Sequence, residues 1–259
     1  MAEVLVVDEA RVRWITLNRP ETRNALTPEV NRGVREALQS AEAAGARVVV
    51  LTGAGGAFSS GLDLRVAAEA GLGPETIEPR IRNEFHSVIR AVRACPLPTI
   101  AVVDGPAAGF GCDLALACDL RLLSDRARLG EIFVKRGLMP DGGGTWTLPR
   151  LVGLGRALEL MFTGDMVDAA EAYRIGLANR VFPAAELESA AWAYARTLAA
   201  GPPLVHRAVK GAVYAAASSD LESALEAEVR GQVKLLGSSD FQEGVAAFLE
   251  KRAPAFRGE

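Results

Sequence analysis

The chain has 259 residues, 49% of them apolar and 24% charged, with a net charge of -3 and a pI near 5.6. That length and composition suit one large domain, or a core with a small appendage, and exclude a disordered chain. The slight acidic balance gives no bulk attraction to nucleic acid or anionic membrane, and no apolar run approaches the ~20 residues of a membrane span.

The opening MAEVLVVDEARVRW lacks a basic segment followed by a small-residue cleavage site, so no secretory signal is expected. Residues 4–8 and 12–18 alternate as two strands around Glu9, Ala10 and Arg11. A helix is predicted from Thr27, which can cap, and Pro28, which suits the first helical position. Val30, Val34, Ala37, Leu38 and Ala41 follow at helical spacing. Residues 48–53 read as a short buried strand leading into a glycine loop. Residues 65–80, rich in Ala, Gly, Glu and Pro, read as a mobile surface segment. A helix over 78–94 follows, with Ile81, Phe85, Val88, Ile89 and Val92 on one side. Then come a strand at 99–103, a glycine turn, a short helix from Leu114 and a strand at 120–123. Strands alternating with helices mark an α/β class. From Gly155 the chain reads as mostly helical. Asp168 and Glu171 make a capping-box-like start, and Gly176 a stop. The Gly201-Pro-Pro break separates residues 1–200 from a helical region over 201–259.

Cys95, Cys112 and Cys118 form no C-x-x-C pair, so neither disulfides nor a metal site is expected, and a cytoplasmic setting fits. His86 and His206 are the only histidines. The chemistry is therefore expected to rest on carboxylates and backbone amides.

Two stretches repeat one design: VVVLTGAGGAFSSGLDL at 48–64 and TIAVVDGPAAGFGCDL at 99–114. Each sends a strand into a small-residue turn. If the turns are neighbours, each can offer one N–H to a shared oxygen, making an oxyanion hole for a polarised carbonyl. A helix starting at the second turn adds a favourable dipole. The alternative is two glycine turns serving close packing alone.

These stretches, with LNRPETRNAL (17–26), GLMPDGGGT (137–145), GLANRVFP (176–183) and FLEKRAPAF (248–256), resemble the crotonase superfamily of enoyl-CoA hydratases and isomerases. They run in family order over nearly the whole chain. The resemblance implies an α/β fold: a crotonase-like spiral of β-β-α units over 1–200 that binds acyl-CoA, then a helical trimerisation region over 201–259. It implies homotrimers or pairs of trimers, and an acyl-CoA thioester substrate. No further cofactor is expected, because coenzyme A is part of that substrate. The oxyanion donors implied are the backbone N–H groups of Leu62 and Phe110.

Hydratases of the family hold a water between two glutamates. Here the first of those positions carries Asp113 and the second Phe133, which cannot transfer a proton. Glu131 is nearby but out of register. Asp141 instead resembles the lone acid of several family isomerases. A single carboxylate suits a double-bond shift, because no water need be activated. The competing reading of Asp141 is a helix N-cap, and Asp113 remains open as a support or as the base of a hydratase. An aryl-CoA dehalogenase, with Asp141 as nucleophile, and a non-catalytic or RNA-binding member are further alternatives. For the substrate, the resemblance implies contacts from Arg23, Ala25, Ser60, Leu64, Phe133, Phe248 and Lys251. As plain residues, Arg23 and Lys251 also read as solvated surface cations.

Overall fold

The computed structural model describes residues 2–71 and 73–259. The first strands are Val4–Glu9 (β1), Val12–Leu17 (β2), Val48–Gly53 (β3), Thr99–Val103 (β4) and Pro106–Ala108 (β5). Leu120–Ser124 (β6), Arg128–Gly130 (β7), Val167–Asp168 (β8) and Arg180–Phe182 (β9) complete the set. The main sheet runs β1-β2-β3-β4-β6-β9, antiparallel only between β1 and β2, and a small second sheet runs β5-β7-β8.

β2, β3 and β4 are β-branched runs buried on both faces, as parallel strands must be. Their alternation sorts the core into two layers. Val12, Trp14, Val48, Val50, Ile100 and Val102 face a long helix, Leu187–Ala200, packing on its Leu187, Ala191, Ala195 and Ala199. Trp14 stacks on Trp192 of that helix with ring centroids 4.5 Å apart. Ile15, Leu17, Val49, Leu51, Ala101 and Val103 face the opposite layer, which carries the glycine turns.

Helices α1 (Pro28–Gln39), α2 (Leu64–Glu69), α3 (Pro74–Arg80), α4 (His86–Ala94) and α5 (Phe110–Ala117) come first. Then follow α6 (Gly144–Val152), α7 (Leu154–Thr163), α8 (Ala169–Arg174) and α9, the long helix above. α10 (Pro203–Ala216), α11 (Leu221–Leu236) and α12 (Ser239–Glu250) end the chain. The Thr27 hydroxyl accepts the Val30 N–H, and the Asp168 carboxylate accepts the Glu171 N–H, so both expected caps form. A strand–strand–helix unit repeats in β4-β5-α5 and β6-β7-α6, with the second strand of each in the small sheet.

Three expectations need correction. Residues 65–80 hold α2 and α3, with Asp63 capping α2 through the Arg65 and Val66 N–H groups; Leu72 lies outside the described residues. The helix predicted over 78–94 begins earlier, in α3, and passes through a π-helical turn at Ile81–Phe85 before α4. The helix predicted from Leu114 begins at Phe110, because the glycines of the turn continue directly into it. The short strands β5, β7 and β8 escape sequence reading, since two or three residues carry no period. No helix among the described residues is long and apolar enough to cross a membrane.

Candidate active site

The first glycine turn is pinned to the loop after β2. Asn24, in the left-handed region at φ 57°, donates its side-chain amide to the carbonyls of Ala54 and Ala57, both at 2.8 Å. The Ser59 hydroxyl donates to the Asn24 carbonyl at 2.8 Å and accepts the Gly61 N–H at 3.1 Å. Leu26 bonds on either side of Leu62, donating to the Gly61 carbonyl at 2.8 Å and accepting the Asp63 N–H at 3.0 Å. Leu62 is thus held between two fixed neighbours, and its own N–H donates to no acceptor among the described residues.

The second turn docks on the first. Phe58 N–H donates to the Pro106 carbonyl and Ala108 N–H to the Ser59 carbonyl, both at 3.0 Å. Gly109 takes φ 53°, and Phe110 is the first residue of α5, its N–H likewise without an acceptor among the described residues. A Cβ on Gly61 would stand 2.7 Å from the Ala108 carbonyl and 3.4 Å from the Phe110 nitrogen. A Cβ on Gly111 would stand 2.7 Å from the Ser59 carbonyl oxygen. Glycine is required at both positions because the two backbones touch. The result is a pair of free N–H groups on adjacent turns, one of them at a helix N-terminus.

Three acids gather behind these donors. Asp113, in the first turn of α5, is 1% exposed, and its Oδ2 accepts the Gly142 N–H at 2.9 Å. Asp141 precedes the Gly142–Gly144 turn. α6 starts at Gly144 after a glycine N-cap with no side-chain cap, so Asp141 is not a capping residue. Its Oδ1 is buried without a partner among the described residues. Glu131, after β7, is 2% exposed with both oxygens unpartnered among the described residues. A Cβ on Gly142 would stand 2.6 Å from Asp113 Oδ2 and from the Phe110 ring. A Cβ on Gly144 would stand 2.5 Å from Asp113 Oδ1 and 3.1 Å from Glu131 Oε1. The glycine turn therefore lies against Asp113, Glu131 and the ring of Phe110.

Burial raises all three carboxyls, because a charge in an apolar setting loses its hydration. Asp141 rises to about 6 on burial. Asp113 is pushed to about 8 by burial and the charge of Asp141, against the Gly142 and Gly144 N–H groups. Glu131 is driven well above the carboxylate range by burial first and Asp113 second. Near neutral pH, Asp141 is the one ready to accept a proton.

Apolar side chains close the surroundings. Phe85 tilts against Phe110 at 5.1 Å between centroids. Phe133 is buried, with its ring next to Gly109, and Ile89 approaches Gly143. The other expected substrate residues divide into two groups. Arg23 lies exposed at the rim, its carbonyl holding the Ser60 N–H at 2.9 Å. Ala25 is buried, the Ser60 hydroxyl donates to the Thr22 carbonyl, and Leu64 opens α2 at 46% exposure. These four adjoin the first turn. Phe248 and Lys251 lie instead at the end of α12. Phe248, 82% exposed, borders a groove of about 430 Å³ made by α10, α11, α12 and the tail, to which neither glycine turn contributes. Within one protomer the structure does not bring these two residues to the site. Glu131 was legible in the sequence only as an acid between Leu129 and Phe133, an apolar stretch where a charge is costly.

Known proteins match this chain over nearly its whole length. The family described as enoyl-CoA hydratase/isomerase matches residues 8–259. A protein of Rhodobacter capsulatus named a probable enoyl-CoA hydratase is 44% identical over 244 residues, covering 94% of this chain and 93% of that one. The 1,2-epoxyphenylacetyl-CoA isomerase of Escherichia coli is 36% identical over 255 residues, 97% of each chain. The crystal structure of an enoyl-CoA hydratase from Bacillus anthracis superposes with a TM-score of 0.94 at 36% identity, covering 99% of this chain and 100% of that one. The chain belongs to the enoyl-CoA hydratase/isomerase family of the crotonase superfamily.

Proposed function

We propose that the protein shifts a double bond in an enoyl-CoA thioester, with Asp141 as the proton carrier. The observation that carries this reading is the state of Asp141. It is uncapped, partly buried, raised to about 6, and set on the turn that packs against Phe110. The Leu62 and Phe110 N–H groups receive the thioester oxygen. Asp141 takes a proton from the carbon alpha to the thioester, and the electrons pass to that oxygen as a dienolate. The same carboxyl returns the proton at the gamma carbon, so a 3,4 double bond becomes a 2,3 double bond. Asp113 supports the turn through the Gly142 N–H. Phe133 lines the acyl side, where it excludes water.

Arg23, Ala25, Ser60 and Leu64 line the coenzyme A path beside the first turn. Phe248 and Lys251 reach coenzyme A from a neighbouring subunit of a homotrimer. The exposed apolar row on α10 and α11, including Val209, Val213, Val229 and Val233, supports such an assembly.

The second reading is hydration of a 2-enoyl-CoA, with Asp113 as base. It is favoured by the names of the Rhodobacter capsulatus and Bacillus anthracis proteins and by Asp113 at the first acid position. Absorbance of the conjugated enoyl group, followed on 3-enoyl-CoA and 2-enoyl-CoA of equal length, separates the two. A rise on the 3-enoyl substrate that is lost in Asp141→Asn supports isomerisation. A fall on the 2-enoyl substrate that survives Asp141→Asn refutes it in favour of hydration.

A further inference from the structure

Glu131 has no place in the steps above, yet it is the most unusual acid in the molecule. It is 2% exposed, and the one donor beside its carboxyl is the weak Cys112 thiol, with no N–H or O–H partner among the described residues. A buried polar group without a partner calls for a reason. Among the described residues no cation bears on it. The groups that bear on it are Cys112 and Asp113 from α5 and Asp141 from the glycine turn, all of them neutral or acidic. Asp113 Oδ1 is also unpartnered, and it faces the same point over Gly144 as Glu131 Oε1. Two ionised carboxyls cannot share so small and dry a space, so at least one must keep its proton.

We propose that Glu131 is a positioning residue: a neutral carboxylic acid, packed behind Asp113 and the Gly142–Gly144 turn, that leaves Asp141 as the ionised acid of the cluster. A carboxylate at 131 would repel Asp113 away from the Gly142 N–H and make Asp141 harder to ionise. A neutral acid fills the same volume without that charge. Asp113 then keeps its bond to Gly142, and the turn that carries Asp141 keeps its packing on the Phe110 ring. This role rests on the reading of Asp141 as the proton carrier.

The test uses the full-length protein with Glu131→Gln and Glu131→Ala. Infrared difference spectra between neutral and strongly alkaline pH need no substrate. The wild type is expected to show the carbonyl band of a protonated carboxylic acid at neutral pH, and Glu131→Gln to weaken it. The pH dependence of kcat/KM on whichever enoyl-CoA is turned over gives the second readout. Glutamine matches a neutral glutamic acid, so its acid-side midpoint should stay at the wild-type value with most of kcat retained. Glu131→Ala leaves a void and should lower kcat at nearly constant KM. The proposal is overturned if the infrared band is unchanged in Glu131→Gln. It is equally overturned if that variant moves the midpoint downward, as removal of a negative charge would do. If no enoyl-CoA is turned over, the proposed function fails while the infrared result still decides the state of Glu131.

Discussion

In α4, Val88 and Val92 are covered to 0% and 1% exposure, while in α11 the same four-residue spacing leaves Val229 and Val233 56% and 66% exposed. Both helices are amphipathic by the same pattern. The first packs on α1 and α5 inside its own chain; the second packs on α10 and α12 and has a groove of about 730 Å³ along its side. Periodicity announces that a face will be covered and says nothing about what covers it. The comparison also divides the labour of the molecule. Every group proposed for proton transfer or oxyanion binding sits in the spiral core, between the two docked glycine turns and the Gly142–Gly144 turn. The last three helices carry a row of exposed apolar side chains, among them Val213, Val229, Val233 and Phe248, and none of the groups proposed for the chemistry at the two turns.

The sharpest way to test this division is to remove chemistry and leave assembly alone. Asp141→Asn keeps the volume and the position outside the helix cap, so the wild-type state of assembly should persist by sedimentation. Turnover should fall by roughly 10²–10⁴, the usual worth of a positioned acid–base group. Next comes the backbone. Gly111→Ala puts a methyl group 2.7 Å from the Ser59 carbonyl and forces the two turns apart. The loss of one oxyanion donor costs about 10²–10³ in kcat. The substrate's Kd, measured by calorimetry with a non-reacting acyl-CoA, should change far less.

A smaller effect follows from pH. Asp141 must be ionised to accept a proton, and its folded pKa of about 6 lies above the 3.8 of an exposed aspartate. Turnover should therefore rise through about pH 6, tenfold per unit on the acid side, and level off above it. The stability term has the opposite sense. The folded state binds this proton more tightly, so the contribution is full below 3.8 and lost as pH climbs through about 6. A limb near 8 would point to Asp113 as base. The smallest expected effect on chemistry comes from the other region. Val229→Glu with Val233→Glu should give monomers by light scattering, with the core still folded by circular dichroism. The change should appear in KM more than in kcat, because Phe248 and Lys251 are proposed to meet coenzyme A across the subunit boundary. Loss of kcat equal to that of Asp141→Asn would mean that the last three helices also carry part of the chemistry.

Much of the site was legible in the chain before any coordinates. The glycines at 61, 109 and 111 announce a close backbone approach, Phe133 rules out a second glutamate at its position, and Asp141 stands alone before three glycines. Two questions stayed open for physical reasons. Asp141 as N-cap and Asp141 as free acid share one sequence, and they differ only in where α6 begins. Glu131 lay out of register with the family's acids, yet the bend after β7 turns it inward over Gly144.

The α/β alternation, the caps at Thr27 and Asp168, the two glycine turns and the kind of groups the reaction can use could all be read from the residues. These follow from local chemistry: side-chain period, φ preferences, and the need of each helix end for a partner. Only packing between distant segments brings the two turns into contact and sets Asp113 Oδ2 on the Gly142 N–H. Only it decided that residues 65–80 form helices, and that three acids meet in one dry space. Those outcomes depend on contacts between segments tens of residues apart, and burial, which sets the charge of each acid, exists only once they have packed.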